Sequence, residues 1–197
     1  ASWDWLMRVL KAGGAEADLQ TALLDEAAAV DAAAEGLFFL PYLAGERSPW
    51  WSPTLAGSFV GLRAHHDAKY LARAVLEGVS FNLRLCLDAL RFAGVQIEQL
   101  RVIGGGAHAD TWLQILADVL GVPLTRRSDA ATATSLGAAV TTLVSIGAMT
   151  SFDRVQQLAH DERTFLPQLD GASVASRLAA FRRSCEQLMP ARVGTDE

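Results

Sequence analysis

The sequence predicts an α/β domain, and three observations carry the prediction. The all-apolar run Leu37–Leu40, bounded by Gly36 and Pro41, has the form of a buried strand, and Leu100–Ile103 reads as a second strand running into glycines. A long segment from Lys69 to Phe92 places polar residues at three- and four-residue steps, the period of a helix. After Leu100 the chain reads strand, glycine-rich loop, helix, strand, helix. The composition, 51% hydrophobic and 20% charged over 197 residues, suits one ordinary globular domain without an internal linker.

In chain order, Ser2 can cap a short helix through Leu10, ended by Gly13-Gly14, and an alanine-rich helix is expected over Ala17–Ala33. Leu37–Leu40 follows as a strand. Pro41–Gly61 is read as a long loop, because it holds three of the six prolines, three glycines and the pair Trp50-Trp51. In the Lys69–Phe92 helix, Leu71, Val75, Val79, Cys86 and Leu90 are left for a core face. The pairs Arg73/Glu77 and Arg84/Asp88 are expected on the solvent side as structural decoration. Gly94 stops that helix, and Leu100–Ile103 runs into Gly104-Gly105-Gly106-Ala107. Asp110 is the expected N-cap of a helix carrying Trp112, Ile115, Leu116 and Val119 and closed by Gly121. Pro123–Arg127 is the next strand. In the following helix, Thr134–Ile146, Gly137-Ala138-Ala139 would permit close packing on a neighbour. A short helix near Ser151–Leu158, an extended stretch around Thr164–Pro167 and a last helix with a Leu178, Phe181, Cys185, Leu188 stripe, stopped by Pro190, complete the chain.

Several function classes drop out. A net charge of −5 with scattered basic residues gives no footprint for nucleic acid. The longest apolar stretch, Leu136–Val144, is broken by Gly137, Thr141 and Thr142 and falls short of the roughly 18 residues of a membrane span. Cys86 and Cys185, far apart in helical segments, read as buried thiols and point to a reducing, cytoplasmic setting. His65-His66 stand side by side while His108 and His160 are remote, which is no zinc-site spacing, so no metal site is assigned. Glu46-Arg47 beside Trp50-Trp51 is either a polar patch on a cleft wall or an ion pair bracing the loop, with bracing preferred.

The glycine triplet is the sharpest candidate. A strand that delivers three glycines to a helix N-terminus offers bare amides and the positive helix end to a phosphate or nucleotide. The alternative is a ligand-free glycine-rich turn. A dinucleotide fingerprint competes, because Gly104-x-Gly106-x-x-Ala109 fits its relaxed form and Asp129 follows the next strand. The six-residue loop before a helix capped by Asp110 fits that fingerprint poorly.

Several segments, in order and at matching separations, resemble the C-terminal domain of the FGGY family of carbohydrate kinases. They are Ala1–Leu6 (ASWDWL), Phe39–Pro49 (FLPYLAGERSP), Gly57–Leu62 (GSFVGL), Arg73–Val79 (RAVLEGV), Gly104–Ala107 leading to Trp112, and Ser135–Ala139 (SLGAA). Together they cover about residues 1 to 168, and the second segment is most like xylulokinases and some gluconokinases. The resemblance implies an actin-like, ribonuclease-H-like domain, cut at its N-terminal edge, covering 1–197, with a sugar-binding domain upstream of Ala1. It implies transfer of the γ-phosphate of ATP, with Mg2+, to a sugar hydroxyl, D-xylulose first and gluconate second. Gly104, Gly105, Gly106 and Ala107 would lie against the nucleotide, with Asp110 near the adenosine and Asp4 facing the base. Carboxylates stand at Asp4 and Asp110 where family members often carry an amide, and an ionised carboxylate accepts but cannot donate. The family's aspartate base and its first phosphate loop would precede Ala1, so no catalytic residue is assigned here. The implied partners are ATP and the sugar, and the apolar surface bared at the cut edge would let the chain self-associate as a homodimer. From other classes, an oxidoreductase domain binding a nicotinamide dinucleotide and a non-catalytic assembly domain remain as alternatives.

Overall fold

The computed structural model describes residues 2–10, 16–153 and 160–188. Helices α1 (Ser2–Leu10) and α2 (Glu16–Ala28) come first. Strand β1 (Phe38–Leu40) pairs antiparallel with β2 (Ser58–Val60), Phe39 opposite Phe59. Then come α3 (Ala68–Phe92), β3 (Leu100–Val102), a 3-10 turn (Gly105–His108), α4 (Asp110–Leu120), β4 (Leu124–Arg127), α5 (Ala133–Ser145), β5 (Asp161–Phe165) and α6 (Gly171–Leu188). The second sheet has the order β3-β4-β5, with β3 and β4 parallel and β5 antiparallel to β4. The fold is the mixed α/β arrangement expected, including the strand, turn, helix, strand, helix unit. Gly13-Gly14, all but the first three residues of the helix expected near Ser151–Leu158, and the stop at Pro190 lie outside the described residues.

Helix α3 lies at the centre. It packs on β1, α1, α2 and α4, and α2 and α4 also touch each other. One core cluster gathers Leu6, Leu37, Phe39, Val75, Phe81 and Phe181; a second gathers Leu87, Leu113, Leu116, Leu124 and Phe165. Trp5 stacks on Phe39 at 5.7 Å between ring centroids, and Phe59 lies 4.8 Å from Phe39. Burial of this kind removes the apolar rings from water and supplies most of the fold's stability. Gly78 permits the central packing, because a Cβ there would stand 2.0 Å from the Phe39 carbonyl oxygen.

Three expectations need correction. The stretch Pro41–Gly61 contains β2, a three-residue strand too short to show alternation. The core face of α3 is turned from the one expected: Val75 is buried, but Leu90 is 50% exposed while Glu77 and Ser80 are buried. A helix covered by several elements, here with α2 and α4 against its polar stripe, buries part of that stripe provided each polar group finds a partner. The Arg73/Glu77 and Arg84/Asp88 pairs are accordingly not solvent decoration. Arg73 Nη1 reaches the Ala27 carbonyl at 3.2 Å and Arg84 Nη1 the Val119 carbonyl at 2.8 Å, tying α3 to α2 and α4. Third, α5 does not pack closely on a neighbour within the described residues; Val140 is its one buried residue.

Candidate functional site

β3 delivers the chain to Gly104, whose φ of 90° a residue with a side chain adopts at a cost. Its N–H donates to the Ala130 carbonyl at 2.7 Å, and its carbonyl accepts from Ala107 N–H at 3.0 Å, which closes the 3-10 turn. The three glycines are not equivalent. A Cβ on Gly104 or Gly105 would meet nothing within 4 Å, whereas one on Gly106 would stand 1.9 Å from Cζ3 of Trp112. The open side of the turn is therefore Gly104-Gly105, and Gly106 is small because the indole lies against it. Gly105 and Gly106 open the turn, so their N–H groups precede any acceptor within it. Ala107 is fully buried and His108 exposed.

Asp110 is the first residue of α4, and Ala109 occupies the N-cap position without a side-chain cap. The expected Asp110 cap is absent because its carboxylate is taken elsewhere. Arg126 Nη1 donates to Oδ1 at 2.6 Å and Arg163 Nη1 donates to Oδ2. Arg126 Nη1 also reaches the Ala107 carbonyl at 3.3 Å, and its Nη2 reaches Glu162 at 3.2 Å. The adjacent Asp110 carboxylate holds the Arg126 guanidinium above its ordinary pKa. The arginines lacked a sequence signal, since only the β4/β5 register, which sets Arg126 opposite Arg163, brings them together.

Gly104, Gly105, Gly106, Ala107 and Asp110 thus share one strand-turn-helix. Asp4 lies on a different element, exposed in the first turn of α1, which packs on α3. Elsewhere, a cavity of about 360 Å³ is lined by Tyr42, Glu46, Arg47, Ser48 and Asn82 among others. Glu46 does brace its loop, but not through Arg47: its Oε2 accepts from the N–H groups of Trp50 and Trp51 at 2.8 and 3.0 Å. Arg47 is exposed on the cavity wall.

The fold also gathers Glu35, His65 and His66, with ligand atoms within 4.8 Å of one another, which sequence spacing did not show. His66 Nδ1 accepts the Arg63 N–H at 3.0 Å. The Nε2 of the same ring is buried 3.5 Å from Glu35 Oε2 without a hydrogen-bond partner. Bonded to His65 at 2.9 Å and Tyr70 at 2.8 Å, Glu35 is the brace of the segment before α3.

The model of the C-terminal domain of the FGGY family of carbohydrate kinases matches residues 2–146. The chain belongs to this family. It is 36% identical to the xylulose kinase of Escherichia coli over 170 residues, 86% of this chain and 35% of that protein. Among solved structures, a ligand-bound xylulose kinase from Lactobacillus acidophilus superposes with a TM-score of 0.75 at 28% identity, covering 94% of this chain and 36% of that one. A gluconate kinase from Lactobacillus acidophilus gives 0.74 at 28% identity, covering 94% and 37%. The FGGY chain thus spans about a third of the length of the relatives it matches. Membership sets aside the dinucleotide-binding alternative, and Asp129, which that reading needed for a ribose, is paired with Arg127 at 3.0 Å. No helix among the described residues is long and apolar enough to cross a membrane.

Proposed function

We propose that this chain is the nucleotide-binding part of a sugar kinase that transfers the γ-phosphate of ATP to a sugar hydroxyl, with D-xylulose as acceptor and gluconate as the alternative. The sugar-holding domain, the general base and the first phosphate loop belong to the rest of the longer protein, and the reaction runs in the cytoplasm, where ATP is supplied. The observation that carries the reading is the open Gly104-Gly105 face, backed by the amides of the turn and the positive end of α4. Gly104 and Gly105 bring bare backbone to the nucleotide, while Gly106, against Trp112, and buried Ala107 shape the turn behind them. Asp110 and Asp4 are the other two residues assigned to the nucleotide side. The amides oppose negative charge on the transferring phosphates, and in-line transfer follows once the acceptor hydroxyl is positioned. Asp110 is held by two arginines, so its own carboxylate is engaged within the protein, and Mg2+ would be brought by the phosphates. The xylulose and gluconate kinases that the chain resembles support these acceptors.

Gly105→Val tests the site, because the added side chain meets no protein atom yet fills the approach to the turn. Calorimetry with MgATP should show affinity reduced at least about tenfold at an unchanged melting temperature, and Lys69→Ala, half-buried at the start of α3, should bind as the parent does. Equal ATP affinity in folded Gly105→Val would place the nucleotide elsewhere; binding of NAD in preference to ATP would remove the kinase reading. ADP release by the full-length protein, with D-xylulose against D-gluconate, decides the acceptor.

A further inference from the structure

We infer that Asp110 and Arg126 are positioning residues, which set the shape of the glycine turn through a two-arginine clasp rather than by touching the nucleotide. The inference rests on the nucleotide reading above and changes the role of Asp110 within it. Arg126 is 13% exposed in its side chain, and one nitrogen, Nη1, holds both the Ala107 carbonyl at the back of the turn and Oδ1 of Asp110 at the start of α4. That single group joins the two segments whose relative placement defines the turn. The second carboxylate oxygen takes Arg163, whose guanidinium lies 4.7 Å from the Phe165 ring centroid, with Arg126 at 5.9 Å from the same ring. Both oxygens of Asp110 are thus engaged within the protein. Arg126 and Arg163 are directly opposed across β4 and β5, a like-charge pair that repels unless an anion sits between them. Asp110 is that anion, with Glu162 on the outer side. A carboxylate does here what an amide could not, since an amide leaves two cations facing each other. Trp112, whose ring lies against Gly106, reports on the turn from its other side.

The test labels the chain with 5-fluorotryptophan and assigns the Trp112 fluorine resonance by its loss in Trp112→Phe. Without ligand, Asp110→Asn and Arg126→Met should each move that resonance while the other tryptophans stay in place. With MgATP, each variant should lose about tenfold in affinity, and the double variant should lose no more than about twofold beyond either single one, the signature of residues acting as one unit. Additive losses would mean that Asp110 contacts the nucleotide itself, and an unmoved Trp112 resonance would mean that the clasp does not hold the turn; either overturns the inference. Failure of the parent chain to bind ATP overturns the nucleotide reading and the positioning role with it, a result distinct from a failure confined to the variants. If Arg126→Met does not fold, Arg126→Lys takes its place in the cycle, and the near-isosteric Asp110→Asn carries the ligand-free measurement.

Discussion

The carboxylate of Glu77, only 3% exposed, accepts from Arg73 Nε at 2.6 Å and from the Ala33 N–H at 2.8 Å, so it anchors the turn after α2 to α3. Burial raises its pKa, and Arg73 opposes the rise. A raised carboxylate favours its acid form in the folded chain. Its contribution is complete below the ordinary value of 4.5 and is lost as pH rises through the folded value, so Glu77→Gln should flatten the stability profile on that side. Glu35 has the opposite slope. His65 and Tyr70 hold its pKa below 4.5, and its contribution is present above 4.5 and disappears as the solution is acidified. Denaturant titrations of Glu77→Gln and Glu35→Gln across pH 3 to 7 separate the two, and parallel profiles would refute both assignments. Arg73→Ala leaves the buried carboxylate without its cation and should cost about 3–5 kcal/mol. The thiols divide similarly: burial pushes Cys185 up to about 11, so in the native chain a thiol reagent should label Cys86 and spare Cys185 until unfolding.

Among the elements, the glycine turn and α3 give the sharpest contrasts. Gly106→Ala must displace the Trp112 ring and Gly78→Ala must push back the Phe39 carbonyl, so each should lose about 1–3 kcal/mol in chemical denaturation. Gly105→Ala should be close to neutral, and equal losses at 105 and 106 would mean that the indole is not the obstacle. The strand-turn-helix unit was legible in the sequence because its signals are local: an apolar run, three glycines, and the Gly121 stop, which has φ of 64°. Gly94, at φ of 88° just past α3, was legible for the same reason. The features that escaped depend on distant partners. β2 is three residues that become a strand only beside β1, the buried face of α3 depends on α2 and α4 covering its polar stripe, and the Arg126/Arg163 pair exists only once β5 finds its register. The likeness of the three glycines in sequence likewise hides which one is open, since Trp112 decides that from six residues downstream.

At the scale of the molecule, α5 exposes an apolar surface, with Leu143 at 38% and nearby Ile146 at 70% exposure. Such a surface favours association, so light scattering on the 197-residue chain should show species above the monomer, reduced by Leu143→Lys with Ile146→Glu; a monodisperse monomer at high concentration would contradict this. The same chain, about a third the length of its relatives, should release no ADP in response to D-xylulose. The place of β5 bears on the order of assembly. β3 and β4 are joined through α4, whereas β5 must close a loop around α5 before Phe165 can meet Leu124. Loop closure delays non-local pairing, which puts β5 after the transition state. Phe165→Ala should therefore leave the refolding rate nearly unchanged and speed unfolding by about a hundredfold in stopped-flow kinetics, and a comparable slowing of refolding would instead place β5 in the nucleus.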